Sequence, residues 1–144
     1  MAYSAQGLFT ALGTAVADAG IVVVGERPYA EGVGDRTDLR LSSTDVALIE
    51  TMRAISTRLI VVVISGRPLA ITDQLPQIDA LVAAWLPGSE GAAVAEVLYG
   101  AVPFTGKLSF SWPRTIEQLP FDFAALPTTG CDAPLFPRGF GLSL

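Results

Sequence analysis

The 144-residue chain contains no histidine. That removes every mechanism in which the chain itself supplies an imidazole: a Ser-His-Asp triad, a Cys-His pair or a His-ligated zinc. Its single cysteine, Cys131, can form neither an internal disulfide nor a thiolate metal cage, and it reads as an incidental thiol. Charge is scarce, at 16% of residues, against roughly 25% in an ordinary soluble domain. Lys107 is the only lysine, the arginines are scattered and the net charge is −5. With no basic patch to neutralise phosphates, nucleic acid is not an expected partner. No apolar run approaches the ~18 residues of a membrane span, so no membrane partner is expected either. The first residues also lack the basic and apolar regions of a signal peptide.

What the chain has in abundance is apolar surface: 51% hydrophobic residues and a mean hydropathy of +0.50. The length suits one domain, residues 1–144, with a real core. So much apolar content implies a sheet covered on both faces, a surface made for a partner, or both. Three segments, Ile21–Gly25, Leu59–Ser65 and Ala80–Leu86, are Val/Ile/Leu-rich without polar alternation, the pattern of parallel strands buried on both sides. Lys107–Trp112 does alternate, with Leu108 and Phe110 against Ser109 and Ser111, and is expected to be an edge strand.

Helical spacing lies between these segments. Ser4–Ala19 carries Leu8, Leu12, Ala15 and Ala19 on one stripe. Ser43–Thr57 opens on a capping candidate, Ser43, and aligns Val46, Ile49, Met52 and Ile55. Gly91–Tyr99 follows Ser89, a capping candidate, and ends at Gly100, suited to the C′ position. The alternation predicts an α/β fold: a three-layer sandwich with a mostly parallel open sheet and helices on both faces. Residues 113–144, rich in proline and phenylalanine, are expected to wrap irregularly across a surface. Only three core strands are evident, where a doubly wound sheet has ~5–6. The sequence is therefore expected to begin inside a domain whose N-terminal part is missing.

Ligands of open α/β sheets bind beyond the carboxyl ends of the strands, which here carry polar, Gly-rich loops. The first holds Glu26, Glu31 and Asp35, with Gly32 and Gly34 allowing close approach. A partly desolvated carboxyl there can act as a general acid/base; a solvated acidic loop is the plain alternative. Arg67, in the second loop, can orient a carboxylate or a sugar, or tie two loops together by pairing with Glu26 or Glu90. In the third loop Ser89 can cap a helix or help bind an anion. The spacing GVGD opens no helix and is no dinucleotide fingerprint, which argues against a flavodoxin-like nucleotide binder. No cofactor is expected. Trp85 and Trp112 lie in strand-like segments, so core packing is expected of them before sugar stacking.

The stretches IVVVGERPYAEGVGD (21–35), VVVISGRPLAI (61–71), DALVAAWLPGSEGAAVAEVLYG (79–100), FTGKLSFSWPRTIEQLP (104–120) and PLFPRGFGLS (134–143) resemble the C-terminal α/β-sandwich domain of glycoside hydrolase family 3. That family contains β-glucosidases and exo-β-glucanases. The stretches follow the family's order over most of the chain, and WLPGSEG and FTGKL are individually specific.

The resemblance implies a retaining, exo-acting β-glycosidase that hydrolyses terminal β-D-glucosyl residues. A (β/α)8 barrel carries its nucleophilic aspartate, and the second domain covers the barrel's mouth and lends the general acid/base. By position in PYAEGVGD that role falls on Glu31. Glu26, directly after the strand, matches a structural glutamate, and Asp35 matches a loop aspartate that holds the loop or assists Glu31. Glu31 is expected to project from the loop tip while Glu26 turns back toward Arg67 or the Ser89 helix start. No segment resembles the barrel or the nucleophile's motif. The chain is thus expected to be a fragment or split subunit, inactive alone. Its expected partners are a barrel-containing chain, or a second copy through an apolar surface, and a β-glucoside or β-glucan oligosaccharide shared with the barrel. The competing class is a non-catalytic α/β module that binds carbohydrate or stabilises another domain.

Overall fold

A computed structural model describes residues 3–5, 15–29 and 31–143. Three strands, β1 (Ala17–Gly25), β2 (Ser56–Ile64) and β3 (Ala80–Ala83), form an open parallel sheet in the order β1-β2-β3. Helix α1 (Ser43–Ala54) connects β1 to β2, and α2 (Gly91–Leu98) follows β3. This is the α/β architecture expected from the alternation of apolar strands and helices.

β2 is the centre of the sheet. Val61, Val62 and Val63 are all buried, so both of its faces are covered. β1 differs from the expectation of a strand buried on both sides. Gly20, Val22 and Val24 are buried, whereas Ile21 is 38% and Val23 53% exposed. The reason is that, among the described residues, only one face of β1 is packed. That face meets α1. A Cβ on Gly20 would collide with the Ser56 side chain of β2 before it met the Met52 methyl carbon of α1, so glycine leaves room for Ser56 beneath the helix. β1 also starts earlier than its valines do. Ala17–Ala19, expected in a helix, pair with β2 instead, Ala17 opposite Ser56 and Ala19 opposite Arg58. Of the rest of that expected helix, Ala15 and Val16 are not helical and residues 6–14 lie outside the described residues.

The cap of α1 is Ser42, not Ser43: its hydroxyl accepts the Asp45 N–H at 3.1 Å and donates to the Asp45 carboxylate at 2.8 Å. Ile49 and Met52 point into the core. The helix ends at Ala54 rather than Thr57, because Arg53 holds the chain where it turns into β2. Its guanidinium donates to the carbonyls of Ser56 at 2.6 Å and Thr57 at 2.7 Å, and to Asp79 at 2.8 Å. Asp79 in turn accepts the Leu59 N–H at 2.8 Å, which fastens the start of β3 to β2. That backbone N–H first, and Arg53 second, hold the Asp79 carboxyl below its usual range.

β3 stops at Ala83, short of the expected Leu86. Trp85 adopts a left-handed backbone, φ +55°, which no strand continues through. Lys107–Trp112 is no edge strand either: the chain bends at Ser109 and Phe110. Leu108 instead exchanges backbone hydrogen bonds with Gly139 and Phe140, and Trp112 with Leu135 and Phe136. The apolar/polar alternation does not become alternating burial: Phe110 is 38% exposed, while Ser111 and Trp112 are both buried. Trp112 is buried in the main core, donates its indole N–H to the Leu69 carbonyl at 2.8 Å, and packs against Trp85 and Phe136. Of the expected wrap over 113–144, the described residues 113–143 follow an irregular path, with one short 3-10 turn, Ile116–Gln118.

Two outcomes follow from these anchors. Trp112→Ala should lower stability by roughly 3–5 kcal/mol in urea unfolding, whereas Phe110→Ala, at a half-exposed ring, should cost far less. Because folding depresses the Asp79 pKa, its stabilisation is present above the unfolded value near ~3.9 and is lost as pH falls through the lower folded value. Unfolding midpoints below about pH 4 should therefore fall more steeply for the wild type than for Asp79→Asn.

Candidate functional site

The carboxyl ends of β1 and β2 lie side by side, Gly25 opposite Ile64. Two loops leave from there. The first opens with Glu26, whose N–H donates to the Ile64 carbonyl at 3.0 Å. Gly25 is required at this point, since any Cβ would collide with that same carbonyl. The second turns sharply at Ser65, whose hydroxyl donates to the Arg67 carbonyl and so aims the Arg67 side chain at the first loop.

Glu26 turns back, as expected, and its side chain is only 7% exposed. Arg67 donates to it through Nη2 at 2.9 Å and through Nε at 3.2 Å. Arg36 approaches the same carboxylate at 3.3 Å. The Arg67 Nη1 reaches the Gly34 carbonyl at 2.7 Å, and its guanidinium carbon lies 4.5 Å from the centre of the Tyr29 ring. The hydrogen bond to Glu26, reinforced by the Glu26 and Asp35 charges against the opposing effect of burial, holds Arg67 above its already high ordinary pKa. It is a permanent cation.

Glu31 is exposed, in a tight turn where the Val33 N–H meets the Glu31 carbonyl and the Asp35 N–H meets the Gly32 carbonyl, both at 3.0 Å. Gly32 supplies the positive φ of +78° that the turn needs. Asp35 is exposed as well. The Glu26–Arg36 pair closes the loop at its base, and Glu31 stands midway between the two. Val33, 90% exposed, lies beside the apex. A groove of about 740 Å³ flanks the loop, its walls including Tyr29, Val33, Arg36, Arg67 and Asp45.

Other expected features fall differently. Ser89 does not cap α2: its hydroxyl donates to Glu90 at 3.0 Å, and Glu90 occupies the cap position without a side-chain bond. Arg67 pairs with Glu26 and not Glu90. Trp85 packs edge-on against Phe110, and Trp112 is core. Cys131 is exposed. Sequence reasoning missed Arg36, Tyr29 and the Gly34 carbonyl. Only Arg36 left a sequence signal, an opposite charge closing the same Gly-rich segment that Glu26 opens.

Residues 10–144 match the glycosyl hydrolase family 3 C-terminal domain. A periplasmic beta-glucosidase of Salmonella typhimurium is 33% identical over 88% of this chain and 19% of its own length. A beta-xylosidase of Formosa agariphila is 36% identical over 98% of this chain and 21% of its own length. Among solved structures, the exo-1,3/1,4-beta-glucanase of a Pseudoalteromonas species is 43% identical with a TM-score of 0.71, over 88% of this chain and 16% of that one. The beta-glucosidase of Listeria innocua is 25% identical with a TM-score of 0.76, over 88% of this chain and 20% of that one. The chain spans about a fifth of the length of these relatives.

The two carboxylates of the loop should respond differently to loss of charge. Glu26→Gln leaves Arg67 and Arg36 facing each other without a shared anion and should cost about 1–3 kcal/mol in chemical denaturation. Asp35→Asn, at an exposed side chain, should stay within about 0.5 kcal/mol.

Proposed function

The chain belongs to the glycosyl hydrolase family 3 C-terminal domain family, and from that premise we propose that it presents Glu31 as the general acid/base to a (β/α)8 barrel carrying the nucleophile. The reaction is retaining hydrolysis of terminal β-D-glucosyl residues from a β-glucoside or β-glucan oligosaccharide. The observation that carries this reading is the contrast between the loop's two glutamates. Glu26 has its oxygens occupied by Arg67 and Arg36. Glu31 stands free of the ion-pair cluster at the exposed apex. The 43% identity to an exo-1,3/1,4-beta-glucanase supports a glucan substrate.

The retaining mechanism places two carboxyl groups about 5–5.5 Å apart across the glycosidic bond. One attacks the anomeric carbon. The other gives its proton to the leaving oxygen, then takes one from the water that releases the sugar. Glu26 is fixed in its ion pairs and serves neither step. Glu31 supplies the second carboxyl, the barrel supplies the first, and Glu26, Asp35 and Arg67 support the loop. A barrel closing over the apex would exclude water there, which favours the protonated form a general acid needs before the first step. Activity then belongs to the assembled enzyme and not to this chain alone.

The test is Glu31→Ala in the barrel-complemented enzyme. Glycosides with poor leaving groups should slow by ~10²–10⁴-fold. Activated aryl glycosides should lose much less in the glycosylation step, and azide should rescue deglycosylation. Equal loss across all leaving groups, with no azide effect, would remove Glu31 from the role. Unchanged activity would favour a non-catalytic carbohydrate-binding or stabilising module.

A further inference from the structure

We infer that Arg67 is the positioning residue of the Glu31 loop: one guanidinium from the loop after β2 holds both legs of the loop after β1, so that Glu31 is placed before any barrel meets it. This rests on the reading of Glu31 as acid/base. On the ascending leg, Arg67 binds the Glu26 carboxylate and lies against the Tyr29 ring. On the descending leg it binds the Gly34 carbonyl at 2.7 Å. Glu31 lies between Tyr29 and Gly34, so both attachments bracket it within three residues. Arg36 adds a bond across the base, again through Glu26.

The arrangement uses what distinguishes arginine from lysine. Only a planar fork can donate along two directions, to Glu26 and to Gly34, while its flat face covers an aromatic ring. A lysine ammonium could keep the charge and one partner, not all three. The space around the clamp is also limited: a Cβ on Gly66 would stand 2.8 Å from the Tyr29 hydroxyl, so the residue before Arg67 leaves room for the ring that Arg67 supports. An acid displaced by about 1 Å from its leaving oxygen can lose on the order of 10²-fold in rate. An exposed loop of this length gains placement chiefly from such cross-links, because its apex buries little side chain.

Two measurements test this. The first is amide hydrogen exchange on the full 144-residue chain. The Asp35 N–H, which closes the apex turn on Gly32, should be protected in the wild type. In Arg67→Lys it should exchange at least about ten-fold faster, while Val62 and Val63 in β2 keep their wild-type rates. An unprotected Asp35 amide in the wild type, an unchanged rate in Arg67→Lys, or an equal rise throughout β2 would each overturn the inference. The second is kinetic, in the barrel-complemented enzyme. Arg67→Lys should lower kcat for poor leaving groups by about 10- to 100-fold with KM within about two-fold, and spare activated aryl glycosides. A rise in KM without leaving-group dependence would overturn positioning of the acid. If Glu31→Ala itself shows no leaving-group dependence, the acid/base reading falls and takes the positioning role with it. The exchange data alone would then show whether Arg67 orders the loop.

Discussion

The register of β1 on β2 decides where every group of the site goes. Gly25 stands opposite Ile64, and the Glu26 N–H closes onto the Ile64 carbonyl. Glu26 therefore leaves the sheet beside the point where the chain turns through Ser65 to Arg67. Two residues 41 apart in sequence meet because two parallel strands end at the same level. A slip of one residue would send Val22 and Val24 to the opposite face and part the glutamate from its arginine. At the far end of the sheet the Ala17 N–H donates to the Ile55 carbonyl at 2.9 Å, which fastens the start of β1 beside β2. There too Arg53 gathers the carbonyls at the start of β2, and Asp79 ties β3 to Leu59.

How far the fold could be read from sequence depends on how local its causes are. β2 was legible because burial on both faces demands a continuous apolar run, and Leu59–Ile64 is one. β1 was legible only in its valines. Ala17–Gly20 has no strand propensity of its own and extends because β2 offers it partners. Lys107–Trp112 misleads for the opposite reason: its apolar and polar residues alternate as in a strand, but it meets tail residues 135–140 through one isolated bridge, Trp112 to Phe136, and the backbone hydrogen bonds of Leu108, around a bend. Ser43 and Ser89 were one residue from the true caps. Element ends depend on backbone angles that the side-chain pattern does not encode.

The site divides along the same line. Strand ends and chain order implied that Glu26 and Arg67 were neighbours, since a parallel sheet brings its carboxyl-end loops together. The Gly34 carbonyl was not legible, because backbone acceptors have no sequence signature. Nor was the Tyr29 ring over Arg67, which depends on a rotamer chosen in the folded loop. What the sequence pattern omits is the set of contacts that gives the loop one shape.

A loop that presents an acid, as proposed for Glu31, has to be rigid and open at once, and ion pairs placed at its base can serve both needs. A carboxylate shared by two guanidinium groups at the loop base is committed to those ion pairs, so Glu26 holds the loop there. Placing that grip at the base, on Glu26, Gly34 and Tyr29, leaves the apex free of competing donors while restricting its motion. The apolar residues nearby serve the same division. Val33 beside Glu31 is 90% exposed, and Leu86, which with Tyr29 flanks Gly66, is 67% exposed. Alone, they put apolar surface in water with nothing gained. Covered by another domain, they would expel water from around the apex, and each charge there would act more strongly on its neighbours. An exposed carboxyl with an apolar rim therefore fits the proposed reading of the loop as one half of a site: on that reading the chain fixes where the carboxyl stands, and the surface that closes over it sets how that carboxyl holds its proton.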